Sequence, residues 1–120
     1  MRRPEYIGGV LIVEDEPLVA MHVAAMMTEF GFSDIRFAHS IANAMAVLPW
    51  TLALGLLDVN IGGEPVFPLA MAMRARGVPL VFSTGQWPRM LPLEWADYPM
   101  LPKPMDPKAL AATLEKLSLL

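Results

Sequence analysis

A short, almost wholly apolar run that ends in a carboxylate is the feature that most constrains the fold of this chain. The run covers residues 52–57, Leu-Ala-Leu-Gly-Leu-Leu, and Asp58 follows it directly. A continuous apolar run of this length predicts a strand buried on both faces, as in a parallel sheet. A carboxylate at the carboxyl end of such a strand lies where open α/β sheets place their ligand sites.

A second run of the same kind brings two more carboxylates to the predicted sheet edge. Residues 10–13 read Val-Leu-Ile-Val, and Glu14 and Asp15 follow them. Carboxylates gathered at one edge repel each other unless a cation shares the site. The pattern therefore favours a Mg²⁺ site with phosphate chemistry.

Composition narrows the class of protein further. A length of 120 residues predicts one domain with a real core, and the absence of cysteine excludes disulfides and Cys-based zinc sites. The net charge of −3 argues against a nucleic-acid partner.

Residues 40–57 carry no formal charge, but Pro49 interrupts them, so we interpret them as a helix, a turn and a strand rather than a membrane span. The N-terminus lacks a signal peptide's apolar core, and we expect a cytoplasmic protein with no membrane partner.

Short apolar runs alternate with longer amphipathic ones, which predicts five βα units. Strands are predicted near residues 9–13, 34–38, 52–57, 78–83 and 99–101, and helices near residues 17–30, 40–49, 66–75 and 107–117. Pro88, Pro92 and Pro99 leave room for only a short or irregular fourth helix. The fold class is therefore α/β: a single flavodoxin-like, doubly wound, five-stranded parallel sheet of order 2-1-3-4-5, with helices on both faces.

Polar side chains follow four of the predicted strands. Glu14 and Asp15 follow the first strand, Asp58 the third, Thr84 the fourth and Lys103 the fifth. The predicted strand order brings the ends of the first and third strands together. A metal ion and an ammonium group can screen the negative charge when a carboxylate attacks phosphorus. A hydroxyl group can then hydrogen-bond to the added phosphoryl group.

Over essentially its whole length the chain resembles a response-regulator receiver domain of the CheY-like type. The matching segments are Val13-Glu14-Asp15-Glu16-Pro17, Asp58-Val59-Asn60-Ile61-Gly62-Gly63, Ser83-Thr84-Gly85 and Lys103-Pro104. The resemblance implies that Asp58 is the phosphoryl acceptor and that Thr84 and Lys103 contact the phosphoryl group. It also implies a cis peptide bond between Lys103 and Pro104.

The same resemblance implies a Mg²⁺ site. Asp15 and Asp58 would hold the ion together with the main-chain carbonyl of Asn60, and Glu14 would assist. Mg²⁺ prefers oxygen ligands in near-octahedral geometry and usually keeps waters and phosphate oxygens, which suits this set of residues.

A narrower resemblance concerns residues 78–87, which are similar to the "FAT GUY" subgroup of receivers. Ser83 stands in place of that motif's Ala, and Trp87 in place of its terminal aromatic residue. Many receivers carry an aromatic residue three positions before the lysine, where this chain has Met100. We therefore predict that the signal passes through Thr84, Trp87 and the Pro-rich segment, by a change in the order of that segment.

The predicted function is a stand-alone receiver, residues 1–120, without an output domain and without enzymatic activity beyond self-catalysed phosphotransfer and autodephosphorylation. A histidine kinase or histidine phosphotransferase would supply the phosphoryl group, and a downstream protein would read it. A phosphate shuttle or sink is equally compatible, and the expected state is a monomer or weak homodimer.

Two other function classes stay open at this point. One is an interaction module that binds without phosphorylation, against which the retained acids, Thr84 and Lys103 argue. The other is a small phosphatase with an aspartyl nucleophile, although such enzymes usually place an Asp-x-Asp pair after the first strand, and Asp15-Glu16-Pro17 lacks the second Asp.

Simpler roles are open for single residues. Asp58 is also placed to cap the third helix, and Glu14 and Asp15 to favour the dipole of the first helix. His22 and His39 are predicted to be structural rather than phosphorelay donors.

Overall fold

Five strands that pair in parallel form the central sheet of the described residues. The computed structural model describes residues 9–48, 51–86 and 90–120. The sheet has the order β2-β1-β3-β6-β7, and its strands are β1 (Gly9–Val13), β2 (Ile35–Ala38), β3 (Leu52–Asp58), β6 (Leu80–Thr84) and β7 (Met100–Pro102). All four pairings are parallel. The predicted order 2-1-3-4-5 is confirmed, since β6 and β7 are the fourth and fifth strands of this sheet.

A small antiparallel hairpin separates β3 from the helix that follows it. Its strands are β4 (Asn60–Ile61) and β5 (Glu64–Pro65), and Gly62 and Gly63 form the turn between them. No pattern in the sequence predicted this hairpin. Strands of two residues are too short to show an alternating pattern.

Within the described residues, four α-helices connect and cover the strands. They are α1 (Pro17–Glu29), α2 (Ile41–Ala46), α3 (Phe67–Ala75) and α4 (Pro107–Lys116). Ser40 caps α2, because its hydroxyl accepts a hydrogen bond of 3.0 Å from the Asn43 N–H. The Asp106 carboxylate caps α4 in the same way through the Ala109 N–H at 3.0 Å.

Two apolar cores, one on each face of the sheet, explain why β1 is apolar throughout. Side chains of β1 alternate between them: Val10 and Ile12 join the core under α1 and α4, whereas Leu11 and Val13 join the core under α2 and α3. Every residue of β1 is buried. The predicted placement of helices on both faces is therefore confirmed.

Several predicted element ends differ from the structure. Helix α2 ends at Ala46 rather than near Pro49, because the Val47 and Leu48 N–H groups form tight-turn hydrogen bonds to Ala44 and Met45. Strand β3 includes Asp58, which pairs in register with Ser83 of β6. Strand β6 accordingly begins later than predicted and runs to Thr84.

The predicted short fourth helix is a single 3₁₀ turn at Leu93–Trp95 within the described residues. Trp95 is fully buried, and its ring packs within 6.1 Å, between centroids, of the rings of Phe67, Phe82 and Tyr98. The Arg74 guanidinium lies over the indole, 4.3 Å from its centroid. The buried Trp95 Nε1 has no hydrogen-bond partner in the described parts of the chain.

Strand β7 forms one edge of the sheet. The Phe82 N–H donates to the Pro99 carbonyl and the Lys103 N–H donates to the Thr84 carbonyl, so residues 99 and 103 face β6. By the two-residue period of a strand, the main-chain groups of Met100 and Pro102 face away from it.

None of the helices in residues 9–48, 51–86 and 90–120 combines the length and the apolar character that a membrane crossing needs.

Candidate functional site

Asp58 lies at the carboxyl end of β3, between the ends of β1 and β6. Only 6% of its surface is exposed. Its Oδ1 accepts a hydrogen bond of 3.2 Å from the Asn60 N–H, and its Oδ2 accepts one of 2.8 Å from the Lys103 ammonium. The carboxylate therefore has a fixed orientation at the sheet edge.

The cleft in front of Asp58 has a volume of about 200 Å³. It is open to solvent, so a phosphate-sized group can enter. The residues that line it are Asp15, Glu16, Asp58, Val59, Asn60, Thr84, Gly85, Gln86 and Lys103.

Lys103 follows β7 and extends across the strand ends to the acids. Its Nζ lies 2.8 Å from Asp58 Oδ2, 3.1 Å from Glu14 Oε1 and 3.7 Å from Glu16 Oε1. Burial alone would lower the pKa of Lys103, but its hydrogen bonds to Asp58 and Glu14 and their negative charges outweigh burial and raise the pKa above its ordinary value. The group is therefore a cation at neutral pH.

Glu14 lies behind the lysine rather than in the cleft. Its surface is 3% exposed, and both of its carboxylate oxygens accept hydrogen bonds from Lys103, at 3.1 and 3.4 Å. Burial raises the pKa of Glu14, and the hydrogen bond from Lys103 opposes that shift only in part. The main-chain carbonyl of Glu14 accepts a hydrogen bond of 3.0 Å from His39 Nδ1.

Asp15 is exposed at the cleft and is tied to the hairpin. Its Oδ2 accepts a hydrogen bond of 2.9 Å from the Gly62 N–H. This hydrogen bond is the main reason why the pKa of Asp15 lies below its ordinary value. The carboxylate is thus held in its ionised form, as a metal ligand must be.

Thr84 is the last residue of β6 and is almost fully buried. Its Oγ1 accepts a hydrogen bond of 3.0 Å from the Gln86 N–H. The hydroxyl proton is therefore still available to a ligand in the cleft, because a hydroxyl can accept and donate at the same time.

The structure brings the predicted site residues together. Asp15, Asp58, Asn60, Thr84 and Lys103 all line the cleft, whereas Glu14 contacts it through Lys103. The Lys103–Pro104 peptide bond is cis, as expected. Trp87 lies outside the described residues.

The simpler role for Asp58 is wrong. The residue that precedes α3 is Val66, and α3 has no side-chain capping hydrogen bond from the described residues. Asp58 therefore does not cap α3.

Glu16 also lines the cleft, although it was not among the predicted site residues. The carboxylates of Glu14, Asp15 and Glu16 offer oxygens within 4.8 Å of one another, so this cluster can hold a metal ion. Its position in the sequence could have indicated a site residue, because Glu16 directly follows the acid pair and precedes the first residue of α1. An all-oxygen set of ligands suits a hard cation.

Comparison with known proteins gives a result only at the level of structure. No family model matches the chain, and no curated protein matches it in sequence.

Solved structures match over most of the chain. SdrG from Sphingomonas melonis Fr1 is 34% identical with a TM-score of 0.81, and the match covers 93% of this chain and 97% of that one. A receiver domain (CheY-like) from Methylobacillus flagellatus is 22% identical, with a TM-score of 0.79 and coverage of 93% and 99%, and shows the shared fold. The chain therefore belongs to the response regulator receiver domains, the CheY-like family.

Two further matches refine this relationship. SdrG from Pseudomonas melonis Fr1 in a BeF3-activated conformation is 35% identical with a TM-score of 0.77, and covers 91% of this chain and 94% of that one. The PhyR stress response regulator is 28% identical with a TM-score of 0.76, and the match covers 92% of this chain but 45% of that one. At this identity and coverage SdrG is a relative of the chain and not only a fold neighbour. Membership of the FAT GUY subgroup stays a prediction.

Proposed function

We propose that this receiver domain accepts a phosphoryl group on Asp58 from the phosphohistidine of a kinase or phosphotransferase, with Mg²⁺ in the cleft. It then signals by contact with a downstream protein. It acts as a phosphoacceptor and not as an enzyme with a separate substrate. The observation that carries the proposal is the nearly buried Asp58 carboxylate, hydrogen-bonded to Lys103 at 2.8 Å, in a cleft that Asp15 and Asn60 also line.

In the proposed transfer, an Asp58 carboxylate oxygen forms a bond to phosphorus as the bond from phosphorus to the donor's imidazole nitrogen breaks. The imidazole keeps the electron pair of that bond and takes up a proton. The Lys103 ammonium already contacts Asp58, so it is placed to stabilise the negative charge of the phosphoryl oxygens without reorganisation.

Asp15, Asp58 and the main-chain carbonyl of Asn60 would hold Mg²⁺, and these oxygen donors fit the preference of that ion. When bound, the ion supplies positive charge that offsets the repulsion between the carboxylates and an incoming phosphoryl group.

Thr84 is proposed to detect the phosphoryl group on Asp58. A phosphoryl group adds up to about two negative charges and three acceptor oxygens, and the Thr84 hydroxyl lines the cleft with its proton free to donate. The BeF3-activated conformation of SdrG supports a phosphoryl-dependent change in this family, and the relation to the PhyR stress response regulator makes stress responses the first place to look for partners.

The test is labelling by a small phosphodonor, acetyl phosphate, in the presence of Mg²⁺, followed by intact-mass measurement. One phosphoryl adduct is expected on the native chain and on Asp97→Asn, an exposed control, and none on Asp58→Asn. The adduct should be lost with time. No adduct on a folded native chain that binds Mg²⁺ would contradict the proposal and favour the module that binds without phosphorylation.

A further inference from the structure

The β4–β5 hairpin places a main-chain N–H beside the carboxylate cluster of Glu14, Asp15 and Glu16. Gly62 and Gly63 have φ values of 58° and 85°, so both central residues of this two-residue turn are in the left-handed region. Type I′ hairpin turns require this conformation, which glycine and asparagine adopt readily and β-branched residues do not.

The hairpin is fixed to the core at both ends. Ile61 and Val66 are 2% and 0% exposed, and the Val66 N–H donates to the Val59 carbonyl at 3.0 Å. The position of the Gly62 N–H is therefore set by packing and not by the exposed turn alone.

Asp15 needs such support to stay at the cleft. It is exposed, and it shares the sheet edge with the carboxylates of Glu14, Glu16 and Asp58. Repulsion among these charges favours rotamers that carry Asp15 away from the cleft. The 2.9 Å hydrogen bond from the Gly62 N–H opposes this by holding the Oδ2 atom of Asp15 at the hairpin.

We propose that the β4–β5 hairpin is the positioning element for the cation site, with the Gly62 main-chain N–H holding Asp15 in place. The inference rests on the proposed function, in which Asp15 and the Asn60 carbonyl are Mg²⁺ ligands. Because Asn60 is the first residue of β4, one hairpin sets the position of two ligands that belong to different parts of the chain. Gly62 is itself a positioning residue and not a ligand.

Two substitutions at Gly62 separate backbone conformation from side-chain bulk. A Cβ built at Gly62 meets no atom within 4 Å, so neither Gly62→Asn nor Gly62→Val creates a steric clash at that atom. Asparagine tolerates the left-handed conformation, whereas valine forces the turn to change. By isothermal titration calorimetry we expect Gly62→Val to weaken Mg²⁺ binding by about three- to tenfold, the worth of one hydrogen bond, and Gly62→Asn to stay within about twofold of the native chain.

Gly77 provides a matched control for the strain itself. Its φ is 74° and a Cβ there also meets no atom within 4 Å, but it follows α3 away from the cleft. Gly77→Val is expected to lower the melting temperature about as much as Gly62→Val while leaving the Mg²⁺ affinity unchanged. If Gly62→Val does not fold, as judged by circular dichroism, Gly63→Ala carries the same test with a milder strain.

The outcomes distinguish the inference from the proposed function. Loss of Mg²⁺ binding in Asp15→Asn, with native affinity or tighter binding in Gly62→Val, would overturn the positioning role alone. An equal loss in Gly77→Val would overturn it too, because the effect would then be one of general stability. Failure of the native chain to bind Mg²⁺, or an Asp15→Asn variant that binds it normally, would overturn both.

Discussion

The Lys103 ammonium donates a hydrogen bond of 2.8 Å to the Asp58 carboxylate, and this bond joins positions 45 residues apart in the chain. It connects the ends of β3 and β7, which are not neighbours in the sheet, across the end of β6. The contact is therefore both part of the proposed phosphoacceptor site and a tertiary link between strands.

Loss of this cation should destabilise the protein. Lys103→Met leaves the nearly buried carboxylates of Glu14 and Asp58 without a cation. Removing one partner of a buried ion pair costs roughly 3 kcal/mol in the free energy of unfolding. Urea unfolding at neutral pH with a chelator measures this cost. Lys108→Met, at an exposed position of α4, should change the stability little, and an equal effect of the two variants would contradict the prediction.

Glu14 should give the stability a pH dependence of definite sign. Burial raises its pKa above the ordinary value of 4.5, so the folded protein holds this proton more tightly than the unfolded chain does. The stabilisation by protonated Glu14 is therefore fully present below pH 4.5. It is lost as the pH rises through the raised pKa of Glu14 in the folded state. The difference in unfolding free energy between the native chain and Glu14→Gln should fall over that range, measured in metal-free buffer. If the difference in unfolding free energy grew with pH, folding would lower the pKa of Glu14, and the prediction would be wrong.

Mg²⁺ should stabilise the native chain by mass action, since a ligand that binds only the folded state adds about 2.7 kcal/mol at 100 times its dissociation constant. The melting temperature is expected to rise with Mg²⁺ in the native chain. It should hardly change in Asp15→Asn. Sodium chloride at matched ionic strength is the control, and an equal rise with sodium would mean that charge screening alone is responsible.

Trp95 should be the most costly residue of the 3₁₀ turn to truncate. Trp95→Ala removes a fully buried ring from the aromatic cluster and should cost about 3–5 kcal/mol. Trp95→Phe should cost clearly less, because it keeps a ring and removes an indole N–H that has no partner in the described residues. Leu93→Ala is the control, since Leu93 is 92% exposed in the same turn. If denaturant unfolding gave equal losses of stability for Trp95→Phe and Trp95→Ala, the prediction would be wrong.

The sequence was sufficient to predict the sheet and most of the residues that line the cleft. Strands buried on both faces read as continuous apolar runs, and the carboxyl ends of parallel strands meet at one edge, which is why Asp15, Asp58, Thr84 and Lys103 were predicted to lie together. The roles of these residues in phosphotransfer stay predictions.

Other features depend on tertiary contacts that no local pattern contains. The alternation of apolar runs does not reveal that Glu14 turns toward Lys103 while Glu16 faces the cleft. The Gly62-Gly63 pair is visible in the sequence, but the hydrogen bond from the Gly62 N–H to Asp15 spans 47 residues. The buried Trp95 lies in a Pro-rich segment without periodicity, so its place in the core was not predictable.

The outer side of β7 has a consequence for the behaviour of the protein at high concentration. An open strand edge is a template on which another chain can add a strand, and this is a common start of aggregation. Here the edge is three residues long, and one of its two outward-facing positions is Pro102, which has no N–H to donate. A second molecule therefore finds too few main-chain partners to extend the sheet on this side, and the strand that carries the polypeptide to Lys103 is protected against fibril-like growth by its own sequence.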